Sequence, residues 1–471
     1  MNTVSARVLA SLLEGWRDAG VAYAALADRI RLLVLDGRMA TGTRLPAERE
    51  LALQLGISRT TVTAAYAELR DAGYLHSVRG SGSVVKLPLR QPQALDLLQP
   101  DYLDFSKATM PAVPEIAAAA VAAAHALPNY LGESGFDPFG LLVLREAIAE
   151  RYTMRGLPTS PDQIMITLGA LHGISLIART LLSRGDRALV ENPTYPHALD
   201  ALRAAGGRLV PVSVTPDEGW DEVALEQAIQ RTSPALGYFM PDFHNPTGAS
   251  MSTDLRERLV ALAAAQGTTL IVDETMAELG FDGGATVPPF ASHGPAITVG
   301  SVGKTVWGGV RLGWIRADRA VIQRLARARN AGDLGTPVLE QLVVLELLRE
   351  FDAILESRRA YLRAGRDRLA ALLADRLPEW HVPNVHGGLT MWVSLGDPVS
   401  SQLAIAARNE GLVIAAGPRF GLDGAFERFM RIPFSLAAEQ TVKGVDALAA
   451  AWATVGRMPV REHELEIASV A

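Results

Sequence analysis

The sequence predicts an α/β protein in two parts: a small N-terminal domain of helices with a two-stranded wing, and a larger domain on a mostly parallel sheet flanked by helices. Three observations carry that expectation. The chain has 471 residues, more than a single hydrophobic core usually organises. Its positive charge is concentrated at the front: residues 1 to 90 hold 12 Lys and Arg against 8 Asp and Glu, whereas the whole chain carries a net −6. From Gln163 onward, short apolar runs end in turns rich in Gly, Asn, Asp and Pro, as strands buried between helix layers do.

At 49% hydrophobic and 20% charged, the composition is that of an ordinary globular protein. There is no Cys, which excludes disulfides and thiolate metal sites and fits a reducing interior. No metal is expected. The apolar run Ile116 to Ala124 is too short to span a bilayer and ends at His125. No charged segment followed by an apolar stretch opens the chain, so a cytoplasmic protein without a membrane span is the expectation. The basic front end is the place to seek a polyanion partner.

Within that front end, Ala47 to Leu55 gives a short helical pattern that stops at Gly56. Ser58 can then cap a second helix, whose apolar residues Val62, Ala65, Tyr66 and Leu69 share one face. Two helices around a Gly-containing turn make a helix-turn-helix candidate. Its second helix opens with Arg59, Thr60 and Thr61, and the first residues of a recognition helix meet bases and phosphates in the major groove. Tyr74 to Val78 and Ser83 to Val85 read as strands joined by Arg79-Gly80-Ser81-Gly82, a wing with Arg79 at its tip. An earlier helix, Tyr23 to Leu35, would pack behind the pair. So few Arg imply two such domains acting together, since phosphate contacts supply much of the affinity.

The next stretch, Lys86 to Asp104, has three Pro and no clean period. It reads as a stiff connector, which divides the chain into residues 1–86, a linker over 87–104 and a large domain over 105–471. The tail after Gly456 is polar and mixed in charge.

The chemistry of the large domain turns on Lys304, in the stretch TVGSVGKTVWGGVRLGW from Thr298 to Trp314. A phosphate-binding loop of the Gly-x-x-x-x-Gly-Lys-Thr type needs Gly at position 298, where this chain has Thr. A Ser-x-x-Lys hydrolase would carry Ser-Asp-Asn or Lys-Thr-Gly, and neither accompanies Ser301 and Lys304. The remaining role is a Schiff-base lysine: a desolvated amine beside another cation is neutral enough to attack an aldehyde. Arg311 supplies that cation and can grip a phosphate.

Were the aldehyde pyridoxal phosphate, the chain should also offer a carboxylate for the ring nitrogen, a donor for the phenolic oxygen, an aromatic plate and an amide-rich phosphate cup. Each is found at the C-terminal end of an expected strand, where open α/β sheets bind ligands. Thr268 to Val272 leads to Asp273. Leu236 to Met240 leads to Asn245-Pro246-Thr247-Gly248. Gln163 to Thr167 runs into Gly169-Ala170-Leu171 and a helix start, and Arg187 to Val190 runs into Tyr195-Pro196.

Two resemblances follow from these motifs. The front end resembles the winged-helix domain of GntR-family transcription regulators through Leu45-Pro46-x-x-Arg49, Leu51-Ala52, Ser58-Arg59-x-Thr61-Val62, Ala65-Tyr66, Leu69 and Gly73-Tyr74. That resemblance implies operator contacts by Arg49, Arg59, Thr60, Thr61, Arg79 and Gly80. From about residue 105 the chain is similar to fold-type-I aminotransferases, through Gly169-Ala170, Tyr195-Pro196, Asn245-Pro246-x-Gly248, Asp273, Ser301-x-x-Lys304 and Arg311 in that order. It implies a mostly parallel sheet with a small C-terminal α+β subdomain, and pyridoxal phosphate held covalently by Lys304. Asp273 would keep the ring nitrogen protonated, Tyr195 would stack on the ring and Asn245 would bond the phenolic oxygen. Ser301, Arg311, Gly169 and the amides of Ala170 and Leu171 would hold the phosphate. Arg431, in Phe429-Met430-Arg431-Ile432-Pro433-Phe434, would pair with a ligand carboxylate.

Two positions depart from the aminotransferase pattern. The Tyr expected two or three residues after the aspartate is Thr275 or Met276, and the Tyr expected before Asp137-Pro138-x-Gly140 is Phe136. The winged helix and the aminotransferase-like domain together resemble the MocR subfamily of GntR regulators. That implies a homodimer with exchanged DNA-binding domains, a double-stranded DNA operator, and a small amine or amino acid as effector. The alternative from another class is a working aminotransferase acting on an amino carboxylate.

Overall fold

The computed structural model describes residues 4–13, 22–35, 39, 43–78, 82–86, 102–282, 288–422 and 425–455. Its first elements are α1 (Ala6–Leu12), α2 (Ala22–Leu35), α3 (Glu48–Leu55) and α4 (Arg59–Asp71), followed by a hairpin of β1 (Leu75–Val78) and β2 (Gly82–Val85). α3 stops because Gly56 takes a left-handed φ of 64° at its C-cap, which glycine adopts without a Cβ penalty. The chain restarts at Ser58, whose hydroxyl accepts from the Thr61 amide at 3.1 Å and so caps α4. Val62, Ala65, Tyr66 and Leu69 are buried in one core with Leu26, Ile30 and Leu33 of α2 and Leu51 of α3. The buried Tyr66 hydroxyl donates to the Pro46 carbonyl at 3.1 Å.

The wing has a neighbour that periodicity did not reveal. The Leu45 amide donates to the Ser83 carbonyl at 2.9 Å, and the Val85 amide to the Thr43 carbonyl at 2.8 Å. Thr43 to Leu45 thus lies along the open edge of β2. The expected wing tip, Arg79 and Gly80, lies outside the described residues, as do 87–101 and the tail from 456. Leu103–Asp104, assigned above to the linker, forms β3 and pairs in parallel with a strand at Leu412–Val413.

The large domain is built on an eight-stranded sheet. Its strands are β4 (Ile164–Thr167), β5 (Arg187–Asn192), β6 (Arg208–Thr215), β7 (Gly219–Trp220), β8 (Leu236–Phe239), β9 (Thr269–Asp273), β10 (Ile297–Ser301) and β11 (Gly313–Arg316). The spatial order is β4-β11-β10-β9-β8-β5-β6-β7, with β10 to β6 parallel and β11 and β7 antiparallel to their neighbours. Side chains alternate between two buried faces. Val190, Tyr238 and Ile271 join one core, while Leu189, Phe239, Leu270 and Val272 join another. Burial on both faces is why these strands read as continuous apolar runs. Strand ends shift slightly from the sequence reading: Asp273 closes β9, and Met240 lies beyond β8.

A smaller, three-stranded sheet follows, of β12 (Thr390–Ser394), β14 (Ala415–Ala416) and β15 (Phe429–Pro433), with β15 antiparallel between β12 and β14, while Leu412–Val413, β13, pairs with β3 apart from it. Helices at Phe351–Arg376, Ser400–Asn409 and Ala438–Val455 accompany it. No helix among the described residues is long and apolar enough to cross a membrane.

Candidate cofactor pocket and nucleic-acid interface

The parallel strands deliver their chemistry to one edge. Asp273 is 5% exposed, its Oδ2 accepts from the Tyr238 hydroxyl at 2.9 Å, and its Oδ1 accepts from the Thr275 amide at 3.0 Å. Burial pushes the Asp273 carboxyl above the usual carboxylate range, against those hydrogen bonds and the charge of Lys304. Beyond β8 the chain turns so that Asn245 is almost fully buried, with the Gly248 amide donating to the His244 carbonyl at 2.6 Å. Tyr195 sits where β5 passes into the helix Pro196–Ala204. Burial, then the charge of Asp273, raise its hydroxyl above the ordinary tyrosine range.

Lys304 follows β10. Its Nζ donates to the Ala108 carbonyl at 2.6 Å, and its pKa is held down to about 8 by burial first and then by Arg431 and Arg311, with Asp273 opposing. A neutral amine is therefore accessible near physiological pH, which nucleophilic attack on a carbonyl requires. Arg431 lies on β15, also almost fully buried. It donates to the Ser106 carbonyl and to Asn245 Oδ1, and stacks 4.7 Å from the Phe420 ring centroid. Burial and then Arg419 lower it to about 10.

The phosphate end is formed by β4 and the helix α7 at Ala170–Leu181, which stands in chain order after α5 (Ile116–Ala126) and α6 (Leu142–Met154). Gly169 precedes α7 with φ 86° and no side-chain cap, which leaves the first amides of the helix open to an anion. A Cβ at Gly169 would stand 3.3 Å from Arg311 Nη2, and one at Gly313 would stand 2.9 Å from the Ala170 amide nitrogen. Glycine at both places lets β11 and Arg311 approach the helix start. Arg311 itself holds φ 54°, and its guanidinium donates to the Leu168 carbonyl at 3.3 Å.

Pyridoxal phosphate fits this set: an open helix N-terminus beside an arginine, an amine with a lowered pKa, a buried carboxylate, and a buried Arg431 Nε that has no hydrogen-bond partner. One expected residue stands differently. The Ser301 hydroxyl donates to the Leu312 carbonyl at 3.0 Å and accepts from the Gly303 amide at 2.9 Å, so phosphate contact requires it to rotate. Sequence reasoning passed over Tyr238 and the carbonyls of Ser106 and Ala108. The Tyr could have been flagged, because a phenol in an otherwise apolar strand must find a partner.

On the winged helix, Arg49, Arg59 and Thr60 are exposed and Thr61 half-buried. The Arg59 side chain is 70% exposed, with Glu48 Oε2 3.8 Å from its Nε. The Ser58 hydroxyl lies 2.7 Å from that of Thr60 and 2.8 Å from that of Thr61. Arg44 was missed: it is exposed and bridges to Val84 of the wing.

These two sites define a class of protein in which a DNA-reading module precedes a pyridoxal-phosphate fold. Residues 93–448 match the family of class I and II aminotransferases, and residues 22–85 match the bacterial regulatory proteins of the gntR family. The chain belongs to both, as a regulator of the MocR type whose cofactor is pyridoxal phosphate. It is 28% identical to the uncharacterized HTH-type transcriptional regulator YdcR of Escherichia coli, over 87% of this chain and 94% of that one. It is 31% identical to the 2-aminoadipate transaminase of Thermus thermophilus, over 69% of this chain and 84% of that one. The structure of LysN, the α-aminoadipate aminotransferase of Thermus thermophilus complexed with N-(5'-phosphopyridoxyl)-L-leucine, superposes with a TM-score of 0.70 at 29% identity. The match covers 78% of this chain and 96% of that one.

Proposed function

We propose that this protein is a transcription regulator that senses a small amine or amino acid through pyridoxal phosphate held at Lys304, and that it acts in the cytoplasm. The observation that carries the reading is the Lys304 amine. It is half-buried, desolvated beside Asp273 and Arg431 and held down to about 8, in a chain whose front end presents Arg59 to solvent. Bound there, pyridoxal phosphate supplies an electrophilic carbon that primary amines attack.

The protein's own groups do the rest. Asp273 would accept from the ring nitrogen, the Asn245 amide would donate to the phenolic oxygen, and the Tyr195 ring would stack on the cofactor. Arg311 and the first amides of α7 would hold the phosphate, joined by Ser301 once its hydroxyl rotates away from the Leu312 carbonyl. Arg431 comes from the small subdomain, so a ligand carboxylate drawn to it pulls that subdomain toward the pocket. Such closure alters DNA binding only where the ligand favours one arrangement over the other.

We infer a homodimer with the DNA-binding domains exchanged between protomers, because the few Arg of one winged helix call for a second to hold an operator. Leu131, Phe136, Leu142, Leu334 and Leu339 are exposed, and a dimer contact would cover such apolar side chains.

A transaminase reading is favoured by the likeness to the 2-aminoadipate transaminase. Thr275 and Met276 in place of the expected Tyr weigh against it. The test is fluorescence anisotropy on a duplex selected from a random pool, with candidate amines added while the cofactor absorbance is followed. Sensing requires one amine to change the absorbance and the DNA affinity together. Steady keto-acid release with unchanged DNA affinity would make the protein an enzyme instead.

A further inference from the structure

β8 and β9 are parallel neighbours in which Tyr238 stands opposite Ile271. Asp273, two residues on, is therefore its diagonal neighbour on the same face, within reach of a long side chain. The Tyr238 hydroxyl spans that diagonal and donates to Asp273 Oδ2 at 2.9 Å, with Tyr238 itself fully buried. The other carboxylate oxygen is met by the backbone amide of Thr275.

We infer that Tyr238 is a positioning residue for the cofactor's ring nitrogen: it orients the Asp273 carboxylate and weakens its hold on a proton. The inference rests on the pocket being a pyridoxal-phosphate site. A phenol donating to a buried carboxylate stabilises the charged form, and the charged form is the one that pairs with a protonated ring nitrogen. It also bears on the departures noted in the sequence. At positions 275 and 276 there is no phenol to tune the phenolic oxygen, and Met276 is buried in the apolar core. The Tyr238 phenol acts instead from β8, on the carboxylate that would meet the ring nitrogen.

The groups facing the pair are few. Lys304, Thr275 and Tyr195 face Asp273, and Glu191 and Tyr195 face Tyr238. Lys304, and the phosphate of the cofactor, titrate in any variant, so a difference between variants isolates the Tyr238 bond.

The experiment compares wild type with Tyr238→Phe, which keeps the ring. Pyridoxal phosphate affinity is measured from about pH 4.5 to about pH 9, a window that spans the ordinary carboxylate range and the lowered amine, and thermal melting of the cofactor-free protein checks the fold. Losing the phenol lets Asp273 take a proton more readily, so the acid-side loss of affinity should begin at higher pH. The midpoint should move up by about one unit, tenfold in proton affinity. In an Asp273→Asn background the same change should have no further effect on affinity or midpoint. A site-specific difluorotyrosine at position 238, a stronger donor of nearly the same size, should move the midpoint the other way, and it answers the question if Tyr238→Phe does not fold. Uniformly weaker binding with an unmoved midpoint would mean that Tyr238 only packs, and would overturn the inference. Wild type that binds no pyridoxal phosphate would bring down the reading of the pocket beneath it.

Discussion

The two ends of this chain use the same kind of side chain in opposite ways. Arg59 stands out in water with a distant Glu48 for company, whereas Arg431 is buried, stacked on Phe420 and bonded to Asn245. An exposed guanidinium works with others through long-range attraction, which salt screens. A buried one loses part of its hold on its proton, here down to about 10, and works through a fixed geometry that salt barely reaches. The lesson is that the DNA end should respond to ionic strength and the pocket to pH.

The sharpest break in that comparison is Lys304→Ala. Absorbance from covalently held cofactor should vanish completely while binding to a selected duplex persists, as borohydride trapping and anisotropy would record. A retained covalent adduct would take Lys304 out of the role. In the wild type, capture of added pyridoxal phosphate should speed up as pH rises, with a midpoint near 8 where the amine becomes neutral.

Next in size is Arg59→Ala. Duplex binding should weaken by about 1 to 3 kcal/mol, and the salt dependence should flatten by about one counterion if the contact is to phosphate. The cofactor spectrum should not change. Equal affinity in both proteins would remove Arg59 from the interface.

The smallest expected effect concerns Glu274, behind Asp273, which accepts from the Phe290 amide at 2.7 Å and the Tyr152 hydroxyl at 3.3 Å. Burial pushes its carboxyl up to about 6 from 4.5. The folded state then holds a proton that the unfolded state has lost, so this group favours folding below about 4.5 and the benefit disappears as pH rises through about 6. Glu274→Gln should erase that slope, a change of at most about 2 kcal/mol. Chemical denaturation at about pH 5 and about pH 7, inside and above that window, measures it, and parallel pH trends in the two proteins would refute it.

How much of this was legible beforehand differs between the ends. The helix pair was readable because Gly56 and Ser58 are local signals, and the burial of Val62, Ala65, Tyr66 and Leu69 repeats with the helical period. The edge formed by Thr43 to Leu45 was not, because pairing with Ser83 and Val85 lies in the partner and leaves no period in so short a run. Leu103–Asp104 escaped notice for a related reason: its partner, Leu412–Val413, is far away along the chain.

In the pocket, the order of Gly169, Tyr195, Asn245, Asp273 and Lys304 along the chain was enough to name a candidate set, since strand ends in an open sheet converge whatever the details, whereas Arg431, on β15 of the smaller sheet, was named from its motif alone. What needed three dimensions was everything relational. The lowered Lys304 amine depends on burial and on Arg431, far along the chain. The Ser301 hydroxyl points to Leu312. Tyr238 meets Asp273 only through the parallel register of β8 and β9.

By itself, then, the amino-acid order determined which chemical groups the protein owns and at which ends of which elements they sit, because caps, turns and periodicity act over a few residues. Tertiary structure alone decided which groups touch and how strongly each holds its proton, because desolvation and hydrogen bonding are set by neighbours in space that no local pattern encodes.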